Sequence, residues 1–95
     1  MLVIDLHFPD AGSLKSKRKE LSSIKSQLSR RLGVAVAETG YQDLWQRATL
    51  TAALTGGSLR RLAAAADEVE RWVLARCPDS ASVERLVASV EDLRG

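Results

Sequence analysis

The apolar residues of this chain change their spacing at a punctuated point near its start, and that change constrains the fold more than any other feature. Leu2, Ile4, Leu6 and Phe8 alternate with Val3, Asp5 and His7, the period of a strand with one buried side. Pro9, Asp10 and Gly12 break the run, and Ser13 offers a hydroxyl to a free amide of a first helical turn. At 100° per residue Leu14, Leu21, Ile24, Leu28 and Leu32 then fall within about 80°, a narrow stripe suited to lying on one sheet face. Gly33 is the expected stop.

Both periods recur. Val34 to Gly40 and Leu44 to Thr55 read as two strands joined by Tyr41, Gln42 and Asp43, a hairpin-length connection. Gly56 and Gly57 break the alternation, and Ser58 caps a second helix. Leu62, Ala66, Val69 and Val73 mark its buried side up to about Arg76, with Pro78 beyond it. Val83, Leu86, Val87, Val90 and Leu93 match helical spacing better than alternation. Topology argues the other way: strand, helix, hairpin and helix leave an open sheet edge. A final strand beside the first covers that edge and completes a split βαβ pair. The expectation is an α+β domain with a four-stranded antiparallel sheet and two helices on one face.

A chain of 95 residues buries one core, so residues 1–95 are read as a single domain. Cys77 has no second cysteine with which to form an internal disulfide or a thiolate-rich metal site, which fits a reducing cytoplasmic setting. Asp5 and His7 inside the first apolar run, with no basic flank before it, argue against a signal peptide or membrane span. The net charge is +2, but its distribution is polarised. Ser13 to Gly33 holds seven bases and one acid, Glu20, and the remainder holds seven bases and eleven acids. Such a domain attracts an anionic partner to one face.

Three blocks carry a family resemblance: Ser13-Leu14-Lys15-Ser16-Lys17-Arg18 after a strand ending in His7-Phe8-Pro9, Val34-Ala35-Val36-Ala37-Glu38, and Gln42-Asp43-Leu44-Trp45-Gln46-Arg47-Ala48-Thr49-Leu50. Together they resemble the YlxP-like proteins, a bacterial family of unknown function, over about Met1 to Leu74. The resemblance implies a ferredoxin-like βαββαβ sandwich. It also implies a ribosome-linked or RNA-linked accessory role, because genes of the family tend to lie among those for translation initiation and ribosome maturation factors. It brings no activity with it.

Two clusters are candidate sites. Lys15, Lys17 and Arg18 crowd the start of the first helix, where the macrodipole is positive and each cation costs about 0.3–1 kcal/mol at low salt. Free amides, a positive dipole end and three bases suit an anion such as phosphate. With Lys25, Arg30 and Arg31 they form a candidate nucleic-acid surface; the alternative is a solvated basic face. Lys17 lies inside the apolar stripe of the wheel, so it must either snorkel out or meet an acid such as Glu38 or Asp43.

The second cluster is the hairpin. A two-residue turn at Gln42 and Asp43 sets Glu38 opposite Arg47 and Gly40 opposite Trp45. Asp5, His7, Glu38, Trp45 and Arg47 then share the sheet face away from the helices, mixed with Val3, Val34 and Val36. Either Glu38 and Arg47 form a structural ion pair shielded by Trp45, or His7, Glu38, Gln42, Asp43, Trp45 and Arg47 form an interface for a second subunit, such as a homodimer, or another protein. His7 beside a carboxylate is an acid/base pair with no nucleophile or phosphate-cradling loop in the pattern, and a lone His falls short of a zinc site. The expectation is a non-enzymatic domain with no metal and no cofactor. RNA readout through stacked sheet aromatics is not expected, because only Trp45 is placed to serve, so contact with RNA would run mainly through phosphates.

Overall fold

Strand β1 (Leu2–His7) buries Leu2, Ile4 and Leu6 and turns Val3, Asp5 and His7 the other way, as its alternation requires. In the computed structural model, which describes all 95 residues from Met1 to Gly95, β1 is followed by α1 (Leu14–Leu32), β2 (Ala35–Gly40) and β3 (Arg47–Ala53). Then come α2 (Leu59–Arg76), β4 (Ala81–Arg85) and a short α3 (Val90–Arg94). The sheet order is β2-β3-β1-β4 with every neighbouring pair antiparallel, the βαββαβ arrangement of a ferredoxin-like sandwich. β4 covers the free edge of β1, from Leu2 opposite Arg85 to Leu6 opposite Ala81. It ends at Arg85, and the helical spacing of the last apolar residues is met in part by α3.

The helix ends follow from the cap residues. The Ser13 hydroxyl accepts from the Ser16 amide and the Ser58 hydroxyl from the Arg61 amide, each satisfying a free donor of the first turn. Gly33 ends α1 at φ 67°, a left-handed conformation that glycine adopts without steric cost, and its amide donates to the Ser29 carbonyl. On the sheet, Leu2, Ile4 and Leu6 stand opposite Ala52, Leu50 and Ala48 of β3. These side chains share one core with Leu21, Ile24 and Leu28 of α1 and Ala66, Val69 and Val73 of α2, so both helices cover the same face.

The hairpin differs from the two-residue expectation. β3 begins at Arg47 rather than Leu44, and Tyr41 to Gln46 form a six-residue connection. Tyr41 takes a left-handed conformation at φ 58°, its carbonyl accepts from the Leu44 amide, and a bulge lies between Glu38 and Gly40. The observed partners are therefore Glu38 with Leu50 and Gly40 with Thr49, instead of Glu38 with Arg47 and Gly40 with Trp45. A three-residue displacement reverses a side chain's face, because the strand period is two. Glu38 accordingly lies on the helix side of the sheet. Gly40 passes so close to Thr49 that an added Cβ would sit 3.1 Å from the Thr49 Cβ.

Candidate functional site

Lys17 is the most buried of the charged side chains, at 1% relative exposure. Its Nζ donates to the Tyr41 carbonyl at 2.6 Å and lies 3.5 Å from Glu38 Oε2. The expectation of an acid partner is met by Glu38, which the register places under α1. Lys17 as a phosphate contact is corrected by the same geometry: an ammonium group sealed between α1 and the end of β2 does not reach an external anion. Its work is mechanical, tying the β2–β3 loop to the first helix through a charge-assisted bond.

The remaining bases of α1 are left open. Lys15, Arg18, Lys19, Arg30 and Arg31 are exposed and Lys25 is half-buried. None enters an ion pair, since the salt bridges of the chain involve only Lys17 with Glu38 and Arg85 with Asp67 and Glu70. Lys15, Arg18, Lys19, Lys25 and Arg30 fall within about 140° of the helical wheel, and Arg31 lies outside that arc. Ser22, Ser26 and Ser29 occupy positions within it, so no bulky side chain separates the cations. At 1.5 Å per residue, Lys15 and Arg31 stand about 24 Å apart along the axis. Lys19, one of the seven bases counted on this helix, is not among the candidate contact residues, although its spacing from Lys15 places it on the same face. Beside this row, a cleft of about 470 Å³ is lined by Arg18, Leu21, Ser22 and Lys25 from α1 and by Glu38, Gln42 and Asp43 from β2 and its loop.

The outer sheet face is not the cluster expected. His7 and Arg47 are cross-strand partners there, but Glu38 points to the opposite side, and Gln42, Asp43 and Trp45 belong to the loop. Val34 is buried and Val36 stands opposite the buried Ala52, so Ala35 and Ala37 face outward in their place. Arg47 pairs with no carboxylate; its guanidinium carbon lies 4.1 Å from the Tyr41 ring centroid, and its Nε is buried without a hydrogen-bond partner. The face is otherwise small and polar: the Thr49 hydroxyl donates to Asp5 Oδ1 at 2.8 Å, and the Thr39 and Thr51 hydroxyls pair at 2.8 Å. The His7 and Glu38 acid/base pair is not brought together. His7 instead lines a cleft of about 170 Å³ with Asp10, Glu20, Arg76, Cys77 and Ser80. Burial pushes the Cys77 thiol above its ordinary value, Arg76 draws it partly back and Glu20 adds to the rise.

Exposed large apolar side chains gather at two places instead. One is the β2–β3 loop, where Tyr41, Leu44 and Trp45 are 42%, 50% and 48% exposed. Tyr41 and Leu44 were not among the sequence candidates; the available signal was two aromatics within five residues between strands. The other place is the far end of the sandwich, where Met1, Leu59, Leu86, Val87, Val90 and Leu93 border a groove of about 670 Å³. No group of three or more His, Cys, Asp or Glu side chains is arranged to hold a metal, and no helix is long and apolar enough to cross a membrane.

Comparison with known proteins agrees with the architecture. Residues 1–86 match a family model described as "Protein of unknown function (DUF503)". Over 74 residues the chain is 38% identical to "Uncharacterized protein YlxP" of Bacillus subtilis (strain 168), covering 67% of this chain and 80% of that protein. No solved structure matches. A family model that spans nearly the whole chain, with a relative this similar across most of its own length, means that the chain belongs to the DUF503 family of YlxP-like proteins.

Proposed function

We propose that this protein is a non-enzymatic accessory domain that binds structured RNA or a ribonucleoprotein through the exposed face of α1. The observation that carries the reading is the unpaired row of Lys15, Arg18, Lys19, Lys25 and Arg30, with Arg31 unpaired outside it, on a helix whose one acid, Glu20, forms no salt bridge. A folded protein gains nothing from leaving so many like charges on one helix, because bases at i, i+4 such as Lys15 and Lys19 repel each other by a few tenths of a kcal/mol. An anionic polymer reverses the sign of that cost and releases its own counterions on binding. A cytoplasmic setting suits such a partner.

The direct test is a filter-binding titration against ribosomal RNA fragments at 50 and 200 mM salt. Five phosphate contacts imply a loss of about 100- to 500-fold in affinity between the two conditions. Affinity indifferent to salt removes the proposal. A second reading, self-association or protein docking, finds its support at the groove between α2 and α3 rather than on the sheet face. Eight of the nine residues lining the groove's inner part, of about 180 Å³, are hydrophobic. Sedimentation of the Leu93→Asp variant beside the wild type separates the two readings, since RNA contact through α1 is insensitive to that change.

A further inference from the structure

The β2–β3 loop is built more firmly than a connection needs to be. Lys17 Nζ and the Leu44 amide both donate to the Tyr41 carbonyl, at 2.6 and 3.1 Å. Gln42 Nε2 donates back to the Glu38 carbonyl at 3.2 Å, and the Gln46 carbonyl accepts from the Phe8 amide at 2.9 Å. The Arg47 guanidinium packs over the Tyr41 ring. Its first two residues are thereby tied to α1, β2 and β3, and its last to Phe8 just beyond β1. What this scaffold presents is apolar: the chain has four aromatic side chains, and two of them, Tyr41 and Trp45, stand about half exposed on this one loop with Leu44. Ordering a loop only to hold a tryptophan in water is unfavourable unless a flat apolar partner covers it.

We propose that Trp45 is a stacking platform for an unpaired nucleotide of the RNA whose phosphates lie on α1. This rests on the phosphate reading above and adds to it a base-recognition site. Charge complementarity chooses the occupant. The loop and α1 share the cleft lined by Arg18, Lys25, Gln42 and Asp43, so a strand held by Arg18 and Lys25 runs directly beside the loop. Any base offers a π-face to a tryptophan, and an unstacked base of a loop or bulge is free to take that position, whereas a base inside a duplex is not. Asp43 and Glu38 disfavour a further phosphate within the cleft and offer acceptors to a sugar hydroxyl or a base amino group. Lys17 acquires a role in this arrangement: a base buried beneath a basic helix fixes the platform relative to the phosphate contacts.

The test uses the full chain with two RNA probes of equal phosphate number, a blunt duplex and a hairpin with an unpaired loop. Emission is read in a Trp72→Phe protein so that Trp45 is the sole indole. Where that variant does not fold, the difference spectrum between wild type and Trp45→Leu supplies the same signal. The hairpin is expected to quench Trp45 and the duplex to leave it unchanged. Trp45→Ala is expected to lower affinity for the hairpin by about 5- to 150-fold, the range of one base–aromatic stack, and to leave duplex affinity within about twofold. Salt-sensitive binding of both probes with unchanged Trp45 emission overturns the stacking site and leaves the phosphate surface standing. Failure of both probes to bind at 50 mM salt overturns both. Quenching by the hairpin that survives Lys15→Glu with Arg18→Glu, at undiminished affinity, overturns the link between platform and helix.

Discussion

Helices α1 and α2 perform the same structural task and present opposite surfaces to solvent. Each is capped by a serine that accepts from the amide three residues on, neither has an acid in its first turn, and both cover the same face of the sheet. On α2 the bases Arg60, Arg61, Arg71 and Arg76 are interleaved with Asp67, Glu68 and Glu70. Two of those acids are engaged by Arg85 of β4, with Arg85 Nη2 at 2.7 Å from Asp67 and Nε at 3.4 Å from Glu70. Its charge therefore helps to hold the last strand against the helix. On α1 the one cation that serves the fold is Lys17, and the rest are unmatched. The difference separates charge used internally from charge left available, and it locates the available part on one helix.

The largest expected effect tests that separation directly. Lys15→Glu combined with Arg18→Glu is expected to weaken RNA binding by about tenfold or more and to reduce the salt slope by about two, one for each phosphate contact removed. Arg60→Glu combined with Arg61→Glu, the corresponding turn of α2, is expected to leave affinity within about twofold in the same titration. Equal losses from the two pairs would break the comparison.

The next effect concerns the internal charge of α1. Lys17→Met keeps the apolar stem and removes the ammonium, leaving Glu38 without its counter-charge and the Tyr41 carbonyl with the Leu44 amide as its remaining donor. Denaturant unfolding is expected to show a loss of about 1.5–3 kcal/mol, the range for losing a hydrogen bond from a charged donor. A stability unchanged from wild type would show that the loop is held without Lys17. Arg85→Ala should lower the thermal midpoint by less, because that pair is partly solvated and screened. A loss as large as that of Lys17→Met would place the electrostatic anchor of the fold on α2 instead.

The smallest effects lie at titratable groups away from α1. The Cys77 thiol is raised by burial, so the reactive thiolate is scarcer than in free cysteine at neutral pH. Alkylation at pH 7 is expected to run slower than for the free amino acid and to accelerate only above the ordinary thiol range; a faster rate would contradict the burial. The Asp92 carboxyl is held below its ordinary value by the Ser89 amide, the reciprocal half of a capping box with the Ser89 hydroxyl. A depressed carboxyl stabilises the folded form above its unfolded value and loses that contribution as pH falls through the folded one. The amide signals of α3 should therefore broaden or shift only in acid, below the usual carboxylate range, and remain unchanged from pH 6 to 8.

Much of the fold was legible because its signals are local. Ser13, Gly33 and Ser58 specify helix ends through backbone groups within a turn of themselves, and alternation in β1 specifies which side of that strand is buried. The hairpin was not legible, because its register depends on a left-handed Tyr41 and a bulge, neither of which alters the hydrophobic pattern enough to be counted. The error propagated: one displaced register moved Glu38 from the outer face to the helix side and removed it from both His7 and Arg47. The candidate site divided along the same line. The basic helix was readable as a charge count, whereas the exposed aromatic loop became visible only once its length and anchors were known.

By itself the sequence determined the order of the elements through α2, the boundaries of α1 and α2 and the excess of bases on the first helix, since periodicity, capping and charge are properties of short stretches. Tertiary structure alone decided which of those bases is free. The ammonium of Lys17 is sealed by residues 21 and 24 positions further along the chain, Glu38 and Tyr41, and a pairing across that separation exists only after the sheet has closed beneath the helix.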